Sequence, residues 1–417
     1  MRRAARSLAC NLARSLALGA GLAAALATLP ARAIDEQSFD QLERGRYLAT
    51  TADCKGCHTR PGGKPFAGGV ALATPFGTLV GSNITPDREA GIGAWSDEEF
   101  IAALHDGRGR AGTRLFPAMP YPAYTKMTRA DALAIRAYLL TIEPVNEKVE
   151  SNQLPIVLNW RFNLVFWNLL NFTSGRLEPD AAKSAEWNRG RYLVDALGHC
   201  GTCHTSKSWL GADKDSAYLQ GGVLQGWLAP NITAANRRGV GRWSVEDIVE
   251  YLKTGSNAYA IAAGPMAEEI ANGSSKMTDA DVKAIAVYLK STPAAADTAA
   301  ALAPSDPQMV AGLAIYKDNC APCHTDAGSG TPGLFSRLAG SHAIQSDDPT
   351  SLIRAVLSGR QGVATKDKPT GPAMPSFAWR LSDAQVAAVL TYVRNSFGNA
   401  AVAVTADQVG KLRARAD

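Results

Sequence analysis

The pattern Cys-x-x-Cys-His occurs three times in this chain of 417 residues, at Cys54, Cys57 and His58, at Cys200, Cys203 and His204, and at Cys320, Cys323 and His324. Two thiols at this spacing can each form a thioether to one of the two vinyl groups of a single haem, while the adjacent His lies below the ring as proximal iron ligand. Other uses of paired cysteines fit less well. A zinc ribbon needs Cys pairs that converge two by two, and three pairs leave one over. A thioredoxin-like site needs one pair beside a βαβ pattern, and none is visible here. Each copy is also followed by Thr (Thr59, Thr205, Thr325), which leaves accidental recurrence little weight. The nine residues predict three covalently bound c-type haems and an electron carrier.

Iron needs a second axial ligand, and Met is the one that raises the reduction potential. Met119 sits in Pro117-Ala-Met-Pro120, Met266 in Gly264-Pro-Met-Ala267 and Met374 in Pro372-Ala-Met-Pro375. They follow the proximal His by 61, 62 and 50 residues, and the near-equality of the first two is what a duplication predicts. Met127, Met277 and Met309 read as flexible core fillers. His105, His199 and His342 compete as ligands. His199 directly precedes Cys200, a poor position for reaching the opposite haem face, and His105 and His342 are expected on the surface or with satisfied ring nitrogens. A proline carbonyl often orients the proximal imidazole. Pro65 and Pro332 could do so in the first and third sites, whereas no proline follows His204 before Pro230.

The elements that position these residues repeat as well. Arg44-Gly-Arg-Tyr-Leu48 precedes the first motif and Arg189-Gly-Arg-Tyr-Leu193 the second. Beyond the motifs, Asn83-Ile-Thr85 matches Asn231-Ile-Thr233, and Gly93-Ala-Trp-Ser96 matches Gly241-Arg-Trp-Ser244. Ser96 with Glu99 and Ser244 with Asp247 have the spacing of helix-opening capping boxes. The last helix of each stretch opens at Thr128 with Asp131, Thr278 with Asp281 and Ser382 with Gln385, and Thr405 with Gln408 opens a short terminal helix. Ile135 and Leu139, Ile285 and Leu289, and Val389 and Val393 share a helical face in pairs. Strand signals are scarce. The expectation is an all-α protein of three tandem class I-type cytochrome c domains, each a few short helices around a haem. The domains would cover 34–150, 183–293 and 306–400, with an apolar connector at 151–182, an Ala/Pro linker at 294–305 and a tail at 401–417.

Residues 1–33 read as a signal peptide: early arginines, an apolar run and the small-residue exit Ala31-Arg32-Ala33. They carry five of the 43 Lys and Arg and no acid; the remaining 38 basic residues balance 38 acidic ones, so nucleic acid is not an implied partner. A leader with c-type haem sites predicts a location outside the cytoplasmic membrane, in a periplasm for a Gram-negative source. Leu154–Phe172 is the one mature stretch close to the length of a spanning helix, but its four Asn and Arg161 suit neither a span nor a clean amphipathic helix. It reads either as a connector packed between the first two domains or as a surface for a membrane or a catalytic subunit, with Trp160 and Trp167 as anchors.

With these residues assembled, the chain resembles the three-haem cytochrome c subunits of bacterial membrane-bound alcohol, gluconate, sorbitol, fructose and aldehyde dehydrogenases. The resemblance is carried by the three haem motifs, the Asn-Ile-Thr and Gly-x-Trp-Ser elements, Ala118-Met-Pro-Tyr-Pro122, Gly264-Pro-Met-Ala-Glu268, and Ala373-Met-Pro-Ser-Phe-Ala-Trp379 leading into Leu381-Ser-Asp383. It implies a separate catalytic subunit holding flavin, pyrroloquinoline quinone or molybdenum, and electron delivery through the haems to ubiquinone at the periplasmic face of the cytoplasmic membrane, with peripheral attachment. No dinucleotide fingerprint follows a strand in this chain, so a flavin of its own is not expected. The rival readings are a soluble multihaem shuttle to an oxidase and a haem peroxidase, which would need an open iron face.

Overall fold

The computed structural model describes residues 38–294 and 299–414; the expected leader at 1–33 and part of the 294–305 linker lie outside the described residues. Asp40–Asp417 gathers into one unit, and of the unit before it only Ser38 and Phe39 are described.

One plan recurs around each Cys pair. A leading helix runs toward the motif: Phe39–Thr51, Ala185–Tyr192 and Pro307–Asn319. The motif itself forms a single helical turn, at Cys54–His58, Gly201–His204 and Ala321–His324. A middle helix follows, at Asp97–Asp106, Val245–Thr254 and Thr350–Ser358. A closing helix, at Arg129–Leu139, Asp279–Lys290 and Asp383–Asn395, then packs across the leading one. The approach is close enough to require glycine. A Cβ on Gly45, Gly190 or Gly312 would collide with the carbonyl of Ala134, Ala284 or Ala388 respectively.

The expected caps form. Ser96, Ser244, Ser382 and Thr405 close full capping boxes, each worth about 1 kcal/mol. Thr128 and Thr278 accept from the backbone of Asp131 and Asp281, without the return bond. Those two carboxylates are turned elsewhere. Arg44 Nε donates to Asp131 at 2.9 Å and Arg189 Nε to Asp281 at 2.8 Å, each within its own repeat.

The structure is mostly helical, as expected, but the described residues also form three two-stranded antiparallel sheets. These pair β1 (Ala71–Thr74) with β2 (Gly77–Val80), β3 (Gly222–Leu224) with β4 (Trp227–Ala229), and β5 (Arg360–Gln361) with β6 (Ala373–Met374). Strands of two to four residues are too short to print an alternating pattern on the sequence.

Leu48, Ile135 and Leu139 of the first repeat share one buried cluster with Leu193, Val282, Ile285 and Leu289 of the second. The third segment packs around its own clusters, which include Ile353, Val386 and Leu390, and Tyr316, Val389 and Val393. The stretch 154–172 contains the short helices Ile156–Asn159 and Asn163–Asn171. Leu164 is buried, and Trp167 Nε1 donates to the Leu210 carbonyl at 2.9 Å. Ile156, Trp160, Phe162, Leu169 and Leu170 face outward. The segment is therefore both a packed connector and an exposed apolar surface. Trp167 belongs to the packed side.

Candidate haem-binding sites

Each motif histidine is oriented by a backbone carbonyl. His58 Nδ1 donates to Ser82 at 2.6 Å, His204 Nδ1 to Pro230 at 2.6 Å and His324 Nδ1 to Ser336 at 2.8 Å. A carbonyl can only accept, so Nδ1 carries the proton and the Nε2 lone pair is left for a metal. Burial lowers the pKa of all three imidazoles, against the raising effect of those carbonyls. Burial thus favours the neutral ring, the form able to ligate a metal.

Pro65 and Pro332, which the sequence offered as possible acceptors, do not serve; Ser82 and Ser336 do so instead, and Pro230 is the partner the sequence left unnamed for His204. Ser82 and Pro230 each stand immediately before an Asn-Ile-Thr element. There Asn83 Oδ1 accepts from Thr85 N and Oγ1 at 2.9 and 2.7 Å, and Asn231 Oδ1 from Thr233 N and Oγ1 at 2.8 and 2.7 Å. This tight turn fixes the chain just after the acceptor carbonyl. The repeated motif was visible in the sequence; its role in aiming the histidine was not.

The six motif cysteines form no disulfide. Burial pushes the thiol of Cys54 up to about 12 and those of Cys57 and Cys320 up to about 11, and it raises Cys200 and Cys203. These five thiols are held protonated by their enclosure, whereas Cys323 is exposed. Among the described residues no cluster of three or more His, Cys, Asp or Glu is placed to hold a metal ion. The backbone also presses against the motif: a Cβ on Gly81 would collide with the Cys57 carbonyl. Asp53, at φ 43°, accepts from Gly56 N at 3.1 Å and caps the first motif's turn. Two unbridged cysteines beside an imidazole with Nε2 to spare are the donor set that covalently attached haem needs.

The first two sites are neighbours. The Ala52 carbonyl, two residues before Cys54, accepts from Tyr124 Oη at 3.1 Å and from His199 Nε2 at 3.3 Å. His199 thus spends its outer nitrogen on the first repeat. His105 and His342 are not on the surface, contrary to expectation; they are buried, and neither ring nitrogen of His105 nor Nδ1 of His342 completes a hydrogen bond. Burial, reinforced by Arg176 near His105 and by His204 near His342, brings both down to about 4.

Met127, Met277 and Met309 are buried core fillers. Met119, Met266 and Met374 are only half-buried. Met119 lies just ahead of the turn Tyr121–Tyr124, Met266 is the second residue of the helix Pro265–Asn272, and Met374 lies on β6 opposite Arg360.

A family model described as Cytochrome c matches residues 42–143 and 309–397. The chain is 38% identical over 401 residues to the fructose dehydrogenase cytochrome subunit of Gluconobacter japonicus, covering 89% of this chain and 82% of that one. It is 39% identical over 416 residues to the gluconate 2-dehydrogenase cytochrome c subunit of Pantoea cypripedii, covering 94% of each. It is 36% identical over 393 residues to the cytochrome c subunit of the quinone alcohol dehydrogenase of Gluconobacter oxydans, covering 89% and 82%.

Proposed function

The chain belongs to the family of cytochrome c subunits of dehydrogenases, and from that premise we propose that it passes electrons through three covalently bound c-type haems from a dehydrogenase catalytic subunit to ubiquinone. The observation that carries this reading is the threefold recurrence of one donor set: a pair of unbridged cysteines beside a histidine whose Nδ1 is tied to a carbonyl. A haem bound there supplies one-electron exchange at iron without transfer of atoms.

In this reading Cys54 and Cys57, Cys200 and Cys203, and Cys320 and Cys323 anchor the haems. His58, His204 and His324 would hold the iron through Nε2, and Met119, Met266 and Met374 would supply its second protein ligand. The haem domains cover 34–150, 183–293 and 306–400. The catalytic subunit, with flavin, pyrroloquinoline quinone or molybdenum, oxidises a sugar, alcohol or aldehyde and releases two electrons. The quinone takes up both with two protons to become quinol. The leader-like residues 1–33 support a site of action at the periplasmic face of the cytoplasmic membrane. Among the described residues no helix is long and apolar enough to cross a membrane. The outward Ile156, Trp160, Phe162, Leu169 and Leu170 support peripheral contact.

The test is affinity purification of the tagged protein from membranes solubilised in mild detergent, followed by assay of a ubiquinone analogue. Co-purification of a catalytic subunit, with quinone reduction dependent on a sugar, alcohol or aldehyde, is the expected result. A protein recovered alone in the soluble fraction overturns the proposal in favour of a diffusible shuttle.

A further inference from the structure

Trp227 opens β4, which leads directly into Pro230, the carbonyl partner of His204. The indole is met by two guanidinium groups of the third segment, with Arg354 Cζ 4.3 Å and Arg360 Cζ 4.0 Å from the ring centroid. Both lie within cation–π reach of the one ring, a contact that a planar guanidinium suits better than an ammonium. Both arginines are fixed from behind: Arg354 Nη1 donates to the Gly226 carbonyl at 3.1 Å and Arg360 Nη2 to that of Ser351 at 2.8 Å. The hairpin itself is docked, since Leu228 N donates to Ser351 Oγ at 2.7 Å.

This cluster touches both distal ligand segments. Gly264, at φ +59°, faces the indole so closely that a Cβ there would come within 2.8 Å of the ring. Met266 is two residues farther on. On the other side Arg360 is the direct β-partner of Met374. Burial, and after it the charge of Arg354, lowers the Arg360 pKa to about 10, in keeping with a tightly enclosed pair. The first repeat builds the matching hairpin without a tryptophan. In the first repeat the position three residues before the acceptor carbonyl is Leu79, and its hairpin instead bonds the backbone of Gln153 through Thr78.

We propose that Trp227, clasped by Arg354 and Arg360, is a positioning residue that holds the Met266 and Met374 segments in fixed relation and so sets the axial ligation of the second and third haems together. The proposal rests on the methionine assignment made above. The first haem, served by Met119, is outside the clasp.

The experiment uses full-length holoprotein carrying Trp227→Leu, Trp227→Phe or Arg360→Lys, with haem content, the methionine-to-ferric-iron charge-transfer absorption and all three reduction potentials as readouts. Trp227→Leu with three haems retained is expected to lose the second and third haems' share of that absorption and to shift two potentials downward, leaving one unmoved. Trp227→Phe keeps a ring to stack on and restores the absorption. Arg360→Lys keeps the charge but not the planar group, so it weakens the absorption. An unchanged absorption and three unchanged potentials in Trp227→Leu overturn the proposal. If that variant does not accumulate with three haems, an unchanged Arg360→Lys overturns it. Met266→Leu and Met374→Leu separate the two levels. If they leave the absorption intact, the ligand assignment fails and the proposal with it; if they remove it and Trp227→Leu does not, only the proposal fails.

Discussion

Tyr47 of the first repeat donates a hydrogen bond to Asp281 of the second at 2.6 Å. The relation is reciprocal, for Tyr192 of the second repeat donates to Asp131 of the first, also at 2.6 Å. In each Arg-Gly-Arg-Tyr-Leu element the first Arg binds the closing helix of its own repeat, Gly admits that helix, and Tyr reaches across to the other copy. The two copies thus form an internal pair, tied by reciprocal bonds and sharing one continuous core. It brings the first two Cys motifs together.

Tyr47→Phe removes one bond to a charged group and leaves Asp281 held by Arg189. The expected loss is about 1 to 2 kcal/mol, and Tyr47→Phe with Tyr192→Phe should lose about twice that. Urea denaturation of the holoprotein measures it. A double variant as stable as the parent would show that the reciprocal bonds contribute nothing to the pairing.

Gly190→Ala forces a methyl group against the Ala284 carbonyl, where backbone must move to make room. Overpacking of this kind costs about 1 to 3 kcal/mol or more. The same substitution at Gly398, where a Cβ meets nothing within 4 Å, tests only the positive φ of 79°. Holoprotein yield and thermal midpoint should fall more at Gly190.

Burial raises the Glu269 carboxyl from 4.5 to about 7, partly opposed by Ser274. The folded state thus holds its proton more tightly than the unfolded chain does. Stability from this group is complete below pH 4.5 and is lost as pH rises through about 7. Glu269→Gln should flatten that fall, with a gain on the order of 2 kcal/mol above neutrality. Urea midpoints across this range check it; parallel curves for parent and variant would contradict the burial argument.

Leu169 and Leu170 are 80% and 71% exposed. Leu169→Glu with Leu170→Glu should weaken sedimentation with anionic lipid vesicles by about tenfold, because carboxylates resist transfer into an apolar layer, while haem absorption stays unchanged. Equal binding by the parent and the double variant would assign this face to something other than lipid.

Much of the site was legible because covalent attachment needs residues adjacent in sequence: Cys54, Cys57 and His58 are one turn of chain. Helix caps were legible for the same reason, as Ser96 and Glu99 act across three residues. What escaped was longer-range. The Ser82 carbonyl lies 24 residues from His58, and a backbone acceptor has no side-chain signature. Asp281 looked like an ordinary partner of a helix cap, yet its carboxylate serves Arg189 and Tyr47, the latter 234 residues away. His105 and His342 were misjudged because burial of an incompletely bonded imidazole follows from packing between distant elements, which spacing along the chain does not encode.

Intact-mass measurement of the denatured holoprotein tests the central claim most directly, since thioether-bound haem survives denaturation and non-covalent haem does not. The account predicts a chain carrying three haem masses, reduced to two when Cys54 and Cys57, Cys200 and Cys203, or Cys320 and Cys323 are replaced by Ser as a pair. A mature parent chain with fewer than three, or with haem that dissociates on denaturation, would contradict it.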